Sequence, residues 1–392
     1  MKLTNSLISQ WLATLFVGTV SMFLVFFLAR TLGASQFGQY NYILSIASLY
    51  LIIQDGGYRT LIFREFTQST TSFKVDKQFL LPIAQAHVIV TTVIAFLLLL
   101  FEQRFSLLAA LFCFALVAIA GFISSQLKGE NRFEQEAWWQ VQQRSFTAIA
   151  IILVVLFISP TVEAIFWAWL IGMLMLLMLP IARSVIQKPL FRFNLVKGSL
   201  AFLTIDAATA IYFRSDMILL EQLGDDSSVV GNYAAAYRLL EGVILIMTPV
   251  AMIAFRYLRL KSDNKKAFLT LLFWLCVMML GLAAIIFVVG YSLSDKLVPF
   301  LFGDEYVQAS GLLNCLLLSL FFILPNYILT QAAIAANQEW FYAYLVIIIA
   351  LMNIVLNIWW IPIYGAMGAA WATIVSEGLL FFGLLLRMSV YL

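Results

Sequence analysis

The run LVIIIALMNIVLNIWWI, residues 345–361, carries no charged side chain, and its two asparagines, Asn353 and Asn357, stand one helical turn apart. At 1.5 Å per residue, roughly 20 such residues cross the 30 Å hydrocarbon core of a bilayer. The rest of the chain reads the same way. Of 392 residues, 63 % belong to the set AVILMFWYC and only 11 % are charged, where soluble chains carry about 25 % charge. So few charges cannot cover the surface of a soluble protein this long. Working outward from 345–361, the apolar runs predict twelve membrane helices. They lie at 7–28, 40–62, 79–101, 105–127, 137–158, 162–183, 198–221, 232–254, 266–290, 307–336, 339–360 and 366–387. The chain is therefore expected to be an all-α polytopic membrane protein. Helices satisfy their own backbone in lipid, and the alternating ten-residue strands of a barrel are missing.

The remaining composition excludes most enzyme classes. Cys113, Cys276 and Cys315 sit apart inside apolar runs, without disulfide or zinc spacing. His87 is the only histidine, and no phosphate-loop, dinucleotide or HExxH string occurs. Twelve spans leave no length for a soluble catalytic domain, so no enzyme activity, metal or resident cofactor is expected. A net charge of +3 gives no nucleic-acid footprint. The opening MKLTNSLISQ leads into a spanning stretch with no small-residue cleavage site, and no cleavable signal is expected.

Lys and Arg in the loops set the orientation. With a cytoplasmic N-terminus, seventeen fall on the inner side, among them Arg64, Lys128, Arg183, Lys261 and Arg387. Only Arg30, Arg104 and Lys296 fall on the outer side. Both termini are then cytoplasmic.

The chain also repeats. LGASQFGQY (residues 32–40) and LGDDSSVVGNY (residues 223–233) each place Leu-Gly, a polar stretch and Gly-x-Tyr before the next helix. A weaker echo pairs GENRFEQEAW after the fourth span with AANQEWFYAY after the tenth. Six helices separate the copies, so both share one orientation. The expectation is two pseudo-symmetric six-helix bundles, residues 1–190 and 191–392, around a central cavity.

The predicted spans contain charged residues, among them Asp55, Arg59, Asp206, Arg214, Asp216, Arg238 and Glu241. Each would cost about 2.5–3.5 kcal/mol facing lipid, so they face a water-filled cavity or one another. Asp55 with Arg59 (i, i+4) and Arg238 with Glu241 (i, i+3) are spaced to pair along a helix face. Arg214 and Asp216 point to different sides of their helix and need partners elsewhere. Gln54, Gln85, His87, Asn326, Asn353 and Asn357 read as cavity lining or as hydrogen bonds between helices. Pro180, Pro249 and Pro325 read as kinks.

Several segments then become recognisable: ARTLGASQFGQYNY, QDGGYRTLIFRE, YFRSDMILLEQLGDDSSVVGNYAAAYRLLEG, LFGDEY and NIWWIPIYGAMGAAWATIVSE. In that order they resemble the lipid-linked oligosaccharide flippases (Wzx-type) of the multidrug/oligosaccharidyl-lipid/polysaccharide superfamily. The resemblance covers nearly the whole chain, although the two extra C-terminal helices of the lipid II flippases are absent. It implies transfer of an undecaprenyl-diphosphate-linked oligosaccharide from the inner to the outer leaflet of the bacterial cytoplasmic membrane. It also implies possible hand-over to the polymerase and chain-length proteins of the pathway. Arg30, Arg59, Arg214 and Arg238 would bind the diphosphate-sugar head, since Arg offers a bidentate fork to phosphate. Tyr212 and Tyr237 would offer faces to sugars. Asp55, Asp216 and Glu241 would hold the empty arginines or take part in coupling to protons, sodium or the membrane potential. A cation-coupled multidrug exporter of the same architecture is the main alternative. A lipid II flippase and a membrane-embedded glycosyltransferase or polymerase are the others.

Overall fold

A computed structural model describes residues 2–67, 77–101, 107–191, 196–224, 226–262 and 264–391. Among the described residues the ordered elements are all helical. They are α1 (Lys2–Asp55), α2 (Tyr58–Thr67), α3 (Lys77–Phe101), α4 (Leu108–Gly129), α5 (Phe133–Phe157), α6 (Val162–Leu177), α7 (Pro180–Val185), α8 (Val196–Leu223), α9 (Ser227–Leu260), α10 (Lys265–Phe302), α11 (Val307–Ala335), α12 (Glu339–Tyr364) and α13 (Ala366–Tyr391).

The all-helical class is as expected, and the helix boundaries differ in instructive places. The 54 residues of α1 would run about 80 Å if straight, far more than one crossing needs. The helix breaks at Gly33, whose φ of 71° is open to glycine at little cost. Two predicted spans thus abut without a loop. The span expected at 40–62 is likewise two helices, because Gly56 (φ 60°) and Gly57 (φ 75°) end α1 and start α2. The span expected at 162–183 stops at Leu177, and Pro180 opens the short α7 instead of kinking a longer helix. Pro325 does lie inside a helix, α11. α10 runs on for twelve residues past the span expected at 266–290. Among the described residues, eight helices are long and apolar enough to cross a membrane. The 16-residue α6 and the charge-bearing α8 and α9 are not among them.

The chain forms two compact units. Unit 1 comprises residues 1–32 and 43–214, and unit 2 comprises residues 33–42 and 215–392. In unit 1, α4 is the central helix, packing on α2, α3, α5 and α6. Its small residues Ala109, Ala110, Ala118 and Ala120 are fully buried, which lets neighbours approach closely. In unit 2, α11 is central, packing on α9, α10 and α13, with α12 against α13. α4 and α11 are the fourth and tenth predicted spans, six apart as the repeat requires.

The weaker echo has a physical basis in the turns after these central helices. Among the described residues, Asn131 (φ 58°) and Asn337 (φ 56°) are the non-glycine residues with left-handed backbone. The hydrogen bonds around them match: Asn131 N–H reaches Lys128 O and Arg132 N–H reaches Leu127 O, while Asn337 N–H reaches Ile334 O and Gln338 N–H reaches Ala333 O. Both turns are Schellman caps, with Asn as the residue that tolerates the left-handed position.

The stronger echo becomes a contact within unit 2. A Cβ at Gly38 would stand 1.9 Å from Ser227 O, and a Cβ at Gly231 would stand 1.9 Å from Ala34 O. Gly38 and Gly231 are equivalent in the repeat, as are Ala34 and Ser227. The two copies therefore cross through matching small-xxx-small ridges, each glycine touching the carbonyl four residues before the other. Nearby, Glu305 of the LFGDEY segment accepts the Ala34 N–H at 3.1 Å and so caps the helix restarting after Gly33. Phe37 packs edge-on against Tyr306 at 6.0 Å.

Candidate functional site

In unit 1 the charged residues gather at the Gly56–Gly57 break. With the α1 ladder ended there, the carbonyl of Ile53 hydrogen-bonds His87 Nε2 of α3 at 2.8 Å. Gly56 leaves room for that ring, since a Cβ there would lie 2.5 Å from Nε2. At Gly57 the α8 backbone comes equally close, with Ser199 O 2.4 Å from the position of a Cβ. Tyr58 is buried against His87 and Phe122. The break is thus wedged between α3 and α8, and the lone histidine is a satisfied structural residue.

This wedge places Asp55 and Arg59. They pair at 3.3 Å, with Asp55 buried and the Arg59 side chain 42 % exposed. The spacing predicted the pair, but it forms across two glycines and not along one helix face. Asp206 of α8 lies in electrostatic range of both. The guanidinium rests on α4 at Gly121, where a Cβ would be 2.5 Å from Arg59 Nη2. One cation paired with Asp55, within electrostatic range of Asp206 and seated on a glycine, is held in place while its side chain stays partly exposed. Further along α2, Arg64 pairs with the buried Glu65 at 3.0 Å and lies over the Phe202 ring.

In unit 2, Arg238 donates to Glu241 at 2.6 Å, the pairing its i, i+3 spacing predicts. It also donates to Asn41 Oδ1 at 3.2 Å, and Asn41 is itself held by the Phe37 carbonyl at 2.8 Å. Only 16 % of the Arg238 side chain is exposed, against 35 % for Glu241. Asp216 is buried; its Oδ2 accepts from Tyr233 at 2.7 Å, and its Oδ1 accepts from the Met217 N–H at 2.8 Å. These two bonds tie Asp216 to α9 and to the backbone of its own helix. Tyr237 is buried and stacked on Tyr233 at 5.8 Å, so its face is not offered to a ligand. Tyr212 stays half-buried beside Phe213. Arg30 is exposed on α1 and Arg214 is half-exposed on α8. Arg30 and Arg214 belong to unit 1, with Arg59, whereas Asp216, Arg238 and Glu241 belong to unit 2.

The uncharged polar residues act mainly between helices. Gln54 donates to Thr92 and to the Leu111 carbonyl, Gln85 accepts the Gln187 N–H, and Asn353 donates to Ser376. Besides Glu65, the buried acids Glu136 and Glu377 were not among the sequence candidates. Glu136, fully buried, accepts from Gln10 (2.7 Å), Ser124 (2.6 Å) and Gln140 (2.5 Å) and pairs with Lys128 at 3.1 Å. It lies one residue before the predicted fifth span. Glu377 accepts from Asn326 at 2.8 Å, and its place inside the twelfth span was a signal that could have found it. Among the described residues no group of His, Cys, Asp and Glu is arranged to hold a metal ion.

Comparison with known proteins is consistent with this geometry. The family described as "Polysaccharide biosynthesis protein" matches residues 3–258. A "probable low-salt glycan biosynthesis flippase" of Haloferax volcanii, Agl15, is 25 % identical over 96 % of this chain and 81 % of its own length. Among solved structures, the inward closed lipid II flippase MurJ superposes with a TM-score of 0.77 at 18 % identity, covering 98 % of this chain and 88 % of that one. An inward-facing multidrug resistance transporter of the MATE family gives 0.68 at 12 % identity, over 93 % and 94 % of the two chains. The fold is therefore that of MATE-like transporters.

Proposed function

The chain belongs to the polysaccharide biosynthesis protein family, and from that premise we propose that it flips a lipid-linked oligosaccharide between the leaflets of a membrane. The cargo is an undecaprenyl-diphosphate-linked repeat unit, moved from the inner to the outer leaflet of the bacterial cytoplasmic membrane by alternating access. The observation that carries this reading is the state of the arginines. In each unit one arginine is held by a carboxylate three or four residues away while its side chain keeps some exposure, 42 % at Arg59 and 16 % at Arg238. A diphosphate head replaces the carboxylate as the partner and then leaves, because an arginine with a resting partner never has to stay bare. Arg30 and Arg214 extend the cationic path, and the prenyl tail stays in lipid throughout. Residues 1–190 and 191–392 act as the two halves of the transporter, with both termini cytoplasmic as the loop charges demand. Protons, sodium or the membrane potential supply the driving force, and polymerase and chain-length proteins take the product. A multidrug exporter of this fold would meet cationic drugs with acids and aromatics, which four arginines disfavour.

Complementation of a strain lacking its own O-antigen or capsule flippase tests the proposal. Restored surface polysaccharide, lost again in Arg59→Ala and Arg238→Ala variants that insert normally, is the expected result. Lysine at either position rescues only partly, since it keeps the charge and loses the fork. Full export by both alanine variants would make these arginines structural.

A further inference from the structure

The turn between α9 and α10 carries a groove of about 470 Å³ that the candidate site does not use. Its lining includes Lys261, Asn264, Lys266, Thr270, Leu271 and Trp274. The groove changes character along α10. Lys261 and Lys266 stand exposed at one end. Trp274, 63 % exposed, lies eight residues beyond Lys266, about 12 Å along the helix. Beside and below it, Phe273, Val277 and Met278 are exposed as well, so this wall continues into uncovered apolar surface. Two oxygens of the groove already have partners. The Asn264 carboxamide oxygen accepts the Ala267 N–H at 3.0 Å, and the Thr270 hydroxyl donates to the Lys266 carbonyl at 2.8 Å. Arg259, just before the turn, is committed to the Ala335 carbonyl and Asn337. In sequence the segment RYLRLKSDNKK, residues 256–266, has five basic residues and one acid.

We propose that this groove binds one anionic phospholipid of the surrounding leaflet, its phosphate between Lys261 and Lys266 and an acyl chain along Leu271 and Trp274. Cations at the water side, an indole at glycerol depth and an open apolar wall below complement each part of such a molecule. A free phosphate would use only the first of these. A zwitterionic lipid is disfavoured, because the segment 256–266 sets five basic residues against one acid and so favours a head of net negative charge.

Tryptophan quenching tests this on the full chain in phosphatidylcholine vesicles doped with brominated lipid. The signal of wild type minus that of Trp274→Phe isolates this indole from the other nine tryptophans. Brominated phosphatidylglycerol should quench it at a much lower mole fraction than brominated phosphatidylcholine. Replacing both lysines (Lys261→Gln with Lys266→Gln) should cut that selectivity by roughly thirtyfold, at about fivefold per lysine near the surface. High salt should reduce the wild-type selectivity too, a check that does not depend on how the variant folds. Equal quenching by the two lipids would overturn the proposal, as would selectivity unchanged by the lysine substitutions or by salt. Displacement of phosphatidylglycerol by equimolar undecaprenyl diphosphate would also overturn it, assigning the groove to the cargo.

Discussion

Replacing Gly38 or Gly231 by alanine tests whether the two repeat copies are held together by their glycines. The added Cβ lands 1.9 Å from Ser227 O in the first case and 1.9 Å from Ala34 O in the second, where real Cβ atoms stay beyond about 3.0 Å. Both carbonyls are helical backbone, so no side chain can swing away. The helices must separate by at least about 1.1 Å at the crossing. Overpacking of this kind costs about 1–3 kcal/mol. The two clashes lie across one interface, and a single outward shift relieves both. The double variant is therefore expected to lose little more than either single variant, with an interaction energy of about 1–3 kcal/mol opposing additivity. Unfolding of purified protein in mixed micelles, followed by circular dichroism for the wild type, two singles and the double, measures this. Additive losses would refute the shared crossing, and so would single losses below about 0.5 kcal/mol, the usual range for uninvolved surface sites.

Three further outcomes are expected. Gly121→Ala should insert and fold nearly normally, because its Cβ meets only the movable end of Arg59; yet it should lower polysaccharide export by displacing that guanidinium, which paired stability and complementation assays would show. Glu136→Ala removes a fully buried carboxylate that collects three side-chain hydrogen bonds and a lysine, and should destabilise the chain by about 3–5 kcal/mol in the same unfolding assay, with Glu136→Gln losing less. A cysteine at Asp226, exposed between α8 and α9 where the Ser228 hydroxyl and N–H hold its carboxyl below the usual range, should react with an impermeant maleimide in intact cells. Labelling only after permeabilisation would reverse the assigned orientation.

The scarcity of charge left no soluble alternative, so the all-helical membrane class was legible in the sequence alone. So were the pairs Asp55–Arg59 and Arg238–Glu241, because a separation of three or four residues keeps two side chains close however the chain packs. The repeat was legible as well, since Gly-x-Tyr and the Asn turns recur as letters. Other features depend on contacts that no local spacing encodes. Asn41 reaches Arg238 across 197 positions and Gln10 reaches Glu136 across 126. Tyr233, seventeen residues on, donates to Asp216. Gly56 and Gly57 fell inside the single span expected at 40–62, and their wedge between His87 and the α8 backbone appears only when those helices are in place. Periodicity and charge fix what each helix is. Which face meets which neighbour follows from small residues, freed carbonyls and buried acids satisfied together, and only the tertiary structure decides that.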